Sequence, residues 1–280
     1  MTGLRLTPRA ALILYAVATL LAVVWLVPVL SAFMISVIPI SQTRNGWWNA
    51  GFGDLTFGNY VRAWEEGLSS YVLNSFIITI GAVAVSIVLG ALAAYAFSRL
   101  DFRLKGPSYF LLITTMIVPV QIILIPLLPW FQTLNLTGDV SQYVGIILVH
   151  VAFGAGWAVF MLGGFMAEIP EELLEAARID GASHYGVFRS VVLPLSLPGI
   201  VSFALIDFVF VWNDLLLALT LLDRDHQPIT VGLANLQAPH LAQENLVSAG
   251  AIMAILPPLL LFALLNRYYV RGLFAGGVKG

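Results

Sequence analysis

The chain contains no cysteine, which excludes disulfides, thiolate-held metals and a cysteine nucleophile. Charge is scarce as well: Asp, Glu, Lys and Arg make up 10% of the 280 residues, against about 25% in an ordinary soluble domain. A soluble fold of this size needs a charged surface that this sequence cannot supply, so lipid must be the solvent for most of its exterior. The formal net charge of -2 leaves no basic footprint for nucleic acid. Lysine occurs only at Lys105 and Lys279, and neither follows a glycine loop able to cradle phosphates. No metal-ligand pair, nucleophile elbow or catalytic set stands out, which disfavours an intramembrane enzyme.

What the sequence holds instead is apolar residue, 60% of the total. A helix needs about 20 such residues to cross the hydrocarbon layer. Six candidate spans fall at 10–38, 71–97, 108–131, 142–166, 194–222 and 248–268. Arg5 and Arg9 precede the first, as in a secretory leader. Its uncharged run from Ala10 to Thr43 far exceeds the roughly 7–15 apolar residues of a cleavable leader, so it reads as a retained anchor. Pro119, Pro126, Pro257 and Pro258 sit inside spans and should kink them, which a bundle tolerates where neighbours take up the freed carbonyls.

The short connections set the orientation. With the N-terminus inside, the inner segments hold Arg5, Arg9, Arg99, Arg103, Lys105, Arg178, Arg189, Arg267, Arg271 and Lys279, against Arg44, Arg62 and Arg224 outside. That asymmetry predicts an all-α integral membrane protein with six transmembrane helices and both termini cytoplasmic. Its expected parts are residues 1–68 (first helix and external loop), 69–268 (the membrane domain) and 269–280 (a cytoplasmic tail). The outer segment 39–70 carries Trp47, Trp48, Asn59, Tyr60 and Trp64, suited to an interfacial belt or a small docking surface. The outer segment 223–247 is polar and long enough to reach a soluble partner.

The inner segment between spans 4 and 5, Glu168 to Gly199, is the most informative. Pro170 suits a first helical turn, and Glu171 and Glu172 favour the positive end of the helix dipole. Leu173, Leu174 and Ala177 make a small apolar face, and Ala176 and Ala177 keep the helix slim. Gly181 fits a left-handed stop, Ser183 can cap a second short helix, and Pro194 begins span 5. A helix lying on lipid should be rich in Lys and Arg. Here Glu168, Glu171, Glu172, Glu175 and Asp180 face only Arg178 and Arg189, so the hairpin addresses a protein.

This stretch resembles a known family. Glu175-Ala176-Ala177, Asp180-Gly181-Ala182 and Leu193-Pro194 are similar to the "EAA" loop of type I ABC importer permeases. Asn59-Tyr60, Trp212-Asn213-Asp214, Arg271-Gly272-Leu273 and the ending Gly277-Val278-Lys279-Gly280 look like the carbohydrate-type, MalG-like branch. The resemblance implies a multi-pass permease of a bacterial or archaeal plasma (inner) membrane. It would work with a second homologous permease, an ATP-binding subunit dimer and an extracytoplasmic sugar-binding protein. It would bind no cofactor itself, ATP and Mg belonging to the partner subunit. Glu175 would pair with a basic residue of that ATPase, Ala176 and Ala177 would permit close packing, and Gly181 would fix the elbow.

An acid inside the bilayer is costly and marks a functional candidate. Asp207 and Asp214 are seven residues apart, about two helical turns, and so share a face of span 5. Asn213 adjoins them, Trp212 could stack on a sugar ring, and His150 is the one ionisable group of span 4. These five residues either line a pathway or form a packing network. A proton- or sodium-driven transporter using the two acids is the main rival, and it would predict inverted repeats around the midplane that are not visible. A type I importer for another cargo is a second. The absence of Lys and Arg from the span cores disfavours direct recognition of a bare anion.

Overall fold

Thr7 starts the first helix: its hydroxyl accepts the Ala10 N–H at 3.3 Å, and Pro8 takes the first turn, where no N–H is required. The structure, a computed structural model, describes residues 7–43, 45–237 and 243–277. Arg5, Arg44 and Lys279 lie outside the described residues, as do the side chains of the tail from 267 onward. The principal helices are α1 (Pro8–Ser36), α2 (Ser69–Arg99), α3 (Lys105–Thr115), α4 (Val120–Thr133), α5 (Asp139–Ala167), α6 (Glu171–Ile179), α7 (His184–Leu195), α8 (Leu197–Trp212), α9 (Leu216–Leu221), α10 (Ile229–Gln237) and α11 (Glu244–Gly277). There is no strand among the described residues.

Among the described residues four helices are long and apolar enough to cross a membrane, or up to six if each of two bent pairs is one span. The third predicted span is such a pair, α3 and α4, meeting at 99°. Pro119 has no N–H to donate and pushes Val118 out of helical geometry, which breaks the chain over Met116–Pro119. The fifth predicted span, 194–222, is not one helix. α7 and α8 meet at 72° across Ser196, and α8 stops at Trp212. There the Asp214 carboxylate takes the N–H groups of Leu217 and Ala218, at 3.2 and 3.0 Å, and so caps α9. Pro257 and Pro258 lie within α11, which runs through them.

The chain forms two units, Met1–Leu68 with Leu233–Ala254, and Ser69–Gly232 with Ile255–Gly280. In the first, Asn59 is a knot. Its amide donates to the Ser36 and Ile38 carbonyls at 2.8 and 2.9 Å, and its own oxygen accepts from Asn245 at 2.8 Å. Tyr60 meets Ser36 Oγ at 2.7 Å. The Asn-Tyr pair therefore ties the end of α1 to the start of α11.

In the second unit α5 is the central post, against which α2 packs along its length, with α3 and α8 also on it. Small side chains permit this approach, because lipid supplies no hydrophobic drive between helices and close packing must replace it. A Cβ on Gly90 would fall 2.3 Å from the Ala158 Cβ, and one on Gly156 would fall 2.7 Å from the Leu112 carbonyl. Gly164, also on α5, has nothing within 4 Å of such a Cβ. Alanine gains about 1 kcal/mol over glycine in a helix interior, whereas overpacking costs roughly 1–3 kcal/mol. Thermal melts in detergent should thus show Gly90→Ala lowering, and Gly164→Ala raising, the midpoint. Equal shifts for both would show that the α2–α5 contact is looser than described.

Candidate functional site

Two regions of the second unit carry the candidate residues. The first is the hairpin α6–α7 at the C-terminal end of α5. Its inner side is apolar: Leu174, Val187, Phe188 and Val192 are buried on Ala91, Ala94 and Tyr95 of α2, Leu162 and Met166 of α5, and Ile200 and Phe203 of α8. Each large side chain buried is worth roughly 1.5–3 kcal/mol, so the hairpin cannot swing free of the helix ends beneath it. Arg99 fastens it further. Its guanidinium donates to the carbonyls of Met166 and Ile169 and to Glu171 Oε2, the last at 2.9 Å, and Glu171 also accepts from Arg178 at 3.1 Å.

The outer side is free. Glu175, Ala176, Asp180 and Gly181 are exposed, with Leu173, Tyr185 and Ile179, the last 86% exposed. Ala177 is half-buried and faces the chain's own core with Ala182, so of the two small residues Ala176 alone is on the open surface. Gly181 has φ +86°, and its N–H reaches the Arg178 carbonyl at 3.0 Å while Ala182 N–H reaches Ala177 at 2.9 Å, a glycine helix stop. The Ser183 hydroxyl accepts the Gly186 N–H at 3.2 Å and caps α7. Pro194 is exposed within α7, just before the 72° bend into α8.

The second region is polar and lies within the helices. His150 is 1% exposed, and its Nε2 is 3.7 Å from Asp214 Oδ2. Four residues along the same helix, about one turn, Gly154 receives Asp207, whose Oδ1 lies 3.2 Å from where a Gly154 Cβ would be, with Ser86 Oγ at 3.1 Å. The two acids thus face successive turns of α5, but their surroundings differ. Asp214 is spent on the α9 cap, and Thr230 Oγ1 donates to its carbonyl. Asp207 is 5% exposed, and its Oδ2 has no hydrogen-bond partner among the described residues. Trp212 is 2% exposed, stacked on Phe208 at 5.5 Å and edge-on to Phe76 at 5.0 Å. Asn213 turns back on its own helix, donating to the Val209 carbonyl at 2.8 Å.

Sequence reasoning missed a third cluster, at the other end of α5. Gln142 donates to Asp223 Oδ2 at 2.6 Å and accepts the Asp223 N–H at 2.9 Å. Tyr143 donates to Asn74 at 2.6 Å, and Asn74 in turn donates to the carbonyls of Asp225 and Gln227. The Gln142 amide, with His226 beside it, holds the Asp223 carboxyl below the usual carboxylate range. Asn74 and Gln142 at the ends of otherwise apolar spans were the available signal.

Residues 86–274 match a family described as binding-protein-dependent transport system inner membrane component. The chain belongs to that family. Two transport components similar to it are the osmoprotective compounds uptake permease protein GgtD of Synechocystis sp. and the trehalose transport system permease protein SugB of Mycobacterium tuberculosis. The first is 35% identical, over 92% of this chain and 89% of the relative. The second is 36% identical, over 91% of this chain and 93% of the relative. Among solved structures, a bacterial ABC transporter involved in the import of the acidic polysaccharide alginate matches with a TM-score of 0.78 at 21% identity. The match covers 94% of this chain and 99% of that one. That likeness is one of fold.

Proposed function

We propose that the chain is a permease subunit of an ABC importer and forms, with a second homologous permease, the pathway for a sugar or oligosaccharide. The observation that carries this is the hairpin α6–α7, buried on one side in the bundle and open on the other with Glu175, Ala176 and Asp180 around the Gly181 elbow. A partner ATPase seated there grips the ends of α2, α5 and α8 through the buried face. The bend at Ser196 then passes its movement to α8 and Asp207. Family membership supports the arrangement, and the trehalose permease relative supports a sugar as cargo.

Six spans with both termini cytoplasmic follow from counting each bent pair as one crossing and from the arginine and lysine asymmetry. The membrane domain is 69–268, preceded by the anchor and loop of 1–68 and followed by the tail 269–280. The chain binds no cofactor: ATP and Mg sit on the ATP-binding dimer, and an extracytoplasmic binding protein delivers the sugar. A conformational switch can be biased only by energy that differs between its two states, and ATP closing the partner dimer supplies that difference at the hairpin.

Purification of the tagged chain from native membranes should bring down an ATPase, a second permease and a binding protein. Uptake in vesicles should require internal ATP and survive collapse of the proton gradient. Uptake that follows an imposed pH gradient without ATP would sink the importer reading in favour of a proton-driven carrier.

A further inference from the structure

Beside the break between α3 and α4 the second unit encloses a cavity of about 340 Å³, lined among others by Thr115, Met116, Phe153, Trp157, Asp207 and Phe210. Its volume falls near the lower end of the roughly 300–1,000 Å³ of ligand pockets, and its make-up follows their pattern, mostly apolar walls with a few convergent polar groups. Asp207 is the only charged residue on the wall. The cavity lies within one unit, between the unwound segment of the bent pair, α5 and α8.

We propose that this cavity takes one ring of the transported sugar, with Asp207 accepting hydrogen bonds from its hydroxyls and the aromatic side chains covering its apolar face. The proposal rests on the importer reading above and adds to it a place and a residue. Two observations converge. Asp207 Oδ2 is buried without a partner among the described residues, although its neighbour Ser86 lies close by over Gly154. A buried carboxylate oxygen left unpaired is costly, and a donor that enters the site relieves that cost. The second observation is the company it keeps: Phe153, Trp157 and Phe210 share the cavity wall with it, and Trp157 and Phe210 are 47% and 57% exposed.

The chemistry of the walls selects among occupants. A lipid tail would satisfy the rings and leave Asp207 unpaired, so it gains little. An anion would meet a carboxylate with no basic residue on the wall to oppose it. A pyranose offers a hydroxyl edge and an apolar C–H face together, which is what a carboxylate beside aromatic rings can hold. Such a site also discriminates, because an analogue lacking the hydroxyl leaves the acid unpaired again. Asp214 is excluded from this role by its geometry: both of its oxygens already hold the α9 cap. Trp212 is likewise enclosed between Phe76 and Phe208 rather than facing the cavity.

The lack of native cysteine makes the test direct. Single-cysteine variants Met116→Cys, on the cavity wall, and Asp101→Cys, fully exposed in the connection between α2 and α3 and off the wall, are placed in the complete complex with its partner subunits. Maleimide labelling of this chain is then timed with trehalose, melibiose and raffinose in turn, and with choline. At least one sugar should slow labelling of Met116→Cys by about fivefold or more and leave Asp101→Cys unchanged. Adding Asp207→Leu should remove the protection, and Asp207→Asn, which keeps the shape and an acceptor, should retain part of it. In uptake assays Asp207→Leu should deliver at least tenfold less sugar per ATP hydrolysed than Asp207→Asn.

Protection by no sugar, in a complex whose ATP hydrolysis still responds to sugar-loaded binding protein, would overturn the site and leave the importer reading standing. Protection by choline instead would make the cavity a cation site. Loss of the second permease on purification of both Asp207 variants would show that a partner side chain, not cargo, meets the acid. A complex that responds to no sugar in any assay would bring down the importer reading together with this one.

Discussion

Gly181→Val is expected to lower substrate-stimulated ATP hydrolysis by the assembled complex at least tenfold, while the chain still inserts in the membrane in normal amount. The residue has φ +86°, a conformation that costs a β-branched residue roughly 1–3 kcal/mol. Nothing lies within 4 Å of a Cβ built there, so no collision with the core is added and the bundle itself is not threatened. The strain must therefore be relieved at the elbow, by turning α6 against α7. Both helices are fixed on their inner side by Leu174, Val187 and Phe188, and the exposed tip from Ile179 to Gly181 has to move instead. Gly181→Asn separates conformation from bulk, because asparagine tolerates the left-handed region. It should recover most of the activity. Hydrolysis at the wild-type rate in the valine variant would mean that the elbow's geometry is irrelevant to coupling.

Arg99→Leu is expected to have the largest effect on stability. The side chain is 10% exposed and donates to the Met166 and Ile169 carbonyls, one in the last turn of α5 and one just beyond it, where helix ends leave carbonyls short of donors. Hydrogen bonds to a charged group are worth about 1.5–3 kcal/mol each. The Glu171 carboxylate is half exposed, so that ion pair adds only about 0–1 kcal/mol. The variant should lose about 3–5 kcal/mol in all, the Met166 carbonyl keeping only the Ile169 N–H at 3.4 Å and both carbonyls losing their charged donor. At roughly 2–4 °C per kcal/mol for a chain approaching this size, the melting midpoint in detergent should fall by about 6 °C or more. Glu171→Gln should move it by about 2–4 °C at most, and Arg99→Lys should fall between, since an ammonium lacks the planar fork that serves two carbonyls at once. Equal losses for Arg99→Leu and Glu171→Gln would show that the ion pair, not the carbonyl clamp, is what matters.

The parts of this fold visible in the sequence were those with a local cause. Long apolar runs marked α1, α2, α5 and α11, and Pro170, Gly181 and Ser183 marked the hairpin, because dipole, left-handed stop and cap each act within a few residues. What needed a distant partner was hidden. Arg99 counted only as one positive charge for orientation, since nothing near it announces the Met166 and Ile169 carbonyls. Asp207 and Asp214 looked alike, two acids at helical spacing, until the helix end at Trp212 turned one into a cap and left the other with an oxygen unpaired among the described residues. The spacing of Ser75, Thr79, Ala82, Ser86 and Gly90 along α2 did carry a signal: small residues at three- to four-residue intervals draw a seam for close packing.

The right-angled pair α3 and α4 has a consequence for the bilayer. With 11 and 14 residues they are about 16 and 21 Å long, each short of the roughly 30 Å of hydrocarbon. The pair makes one crossing only when both pieces lean about equally from the membrane normal, and the four-residue gap of Met116–Pro119 then sits at depth. There the start of α4 offers N–H groups with no side-chain cap, and acyl chains have no oxygen to give them. Ile117 is 77% exposed on this gap, so the described helices of the second unit do not cover it. A lone copy is thus an unfinished wall, whose bare backbone must be sealed by a neighbouring protein. Synthesis without that neighbour should leave it short-lived in the cell.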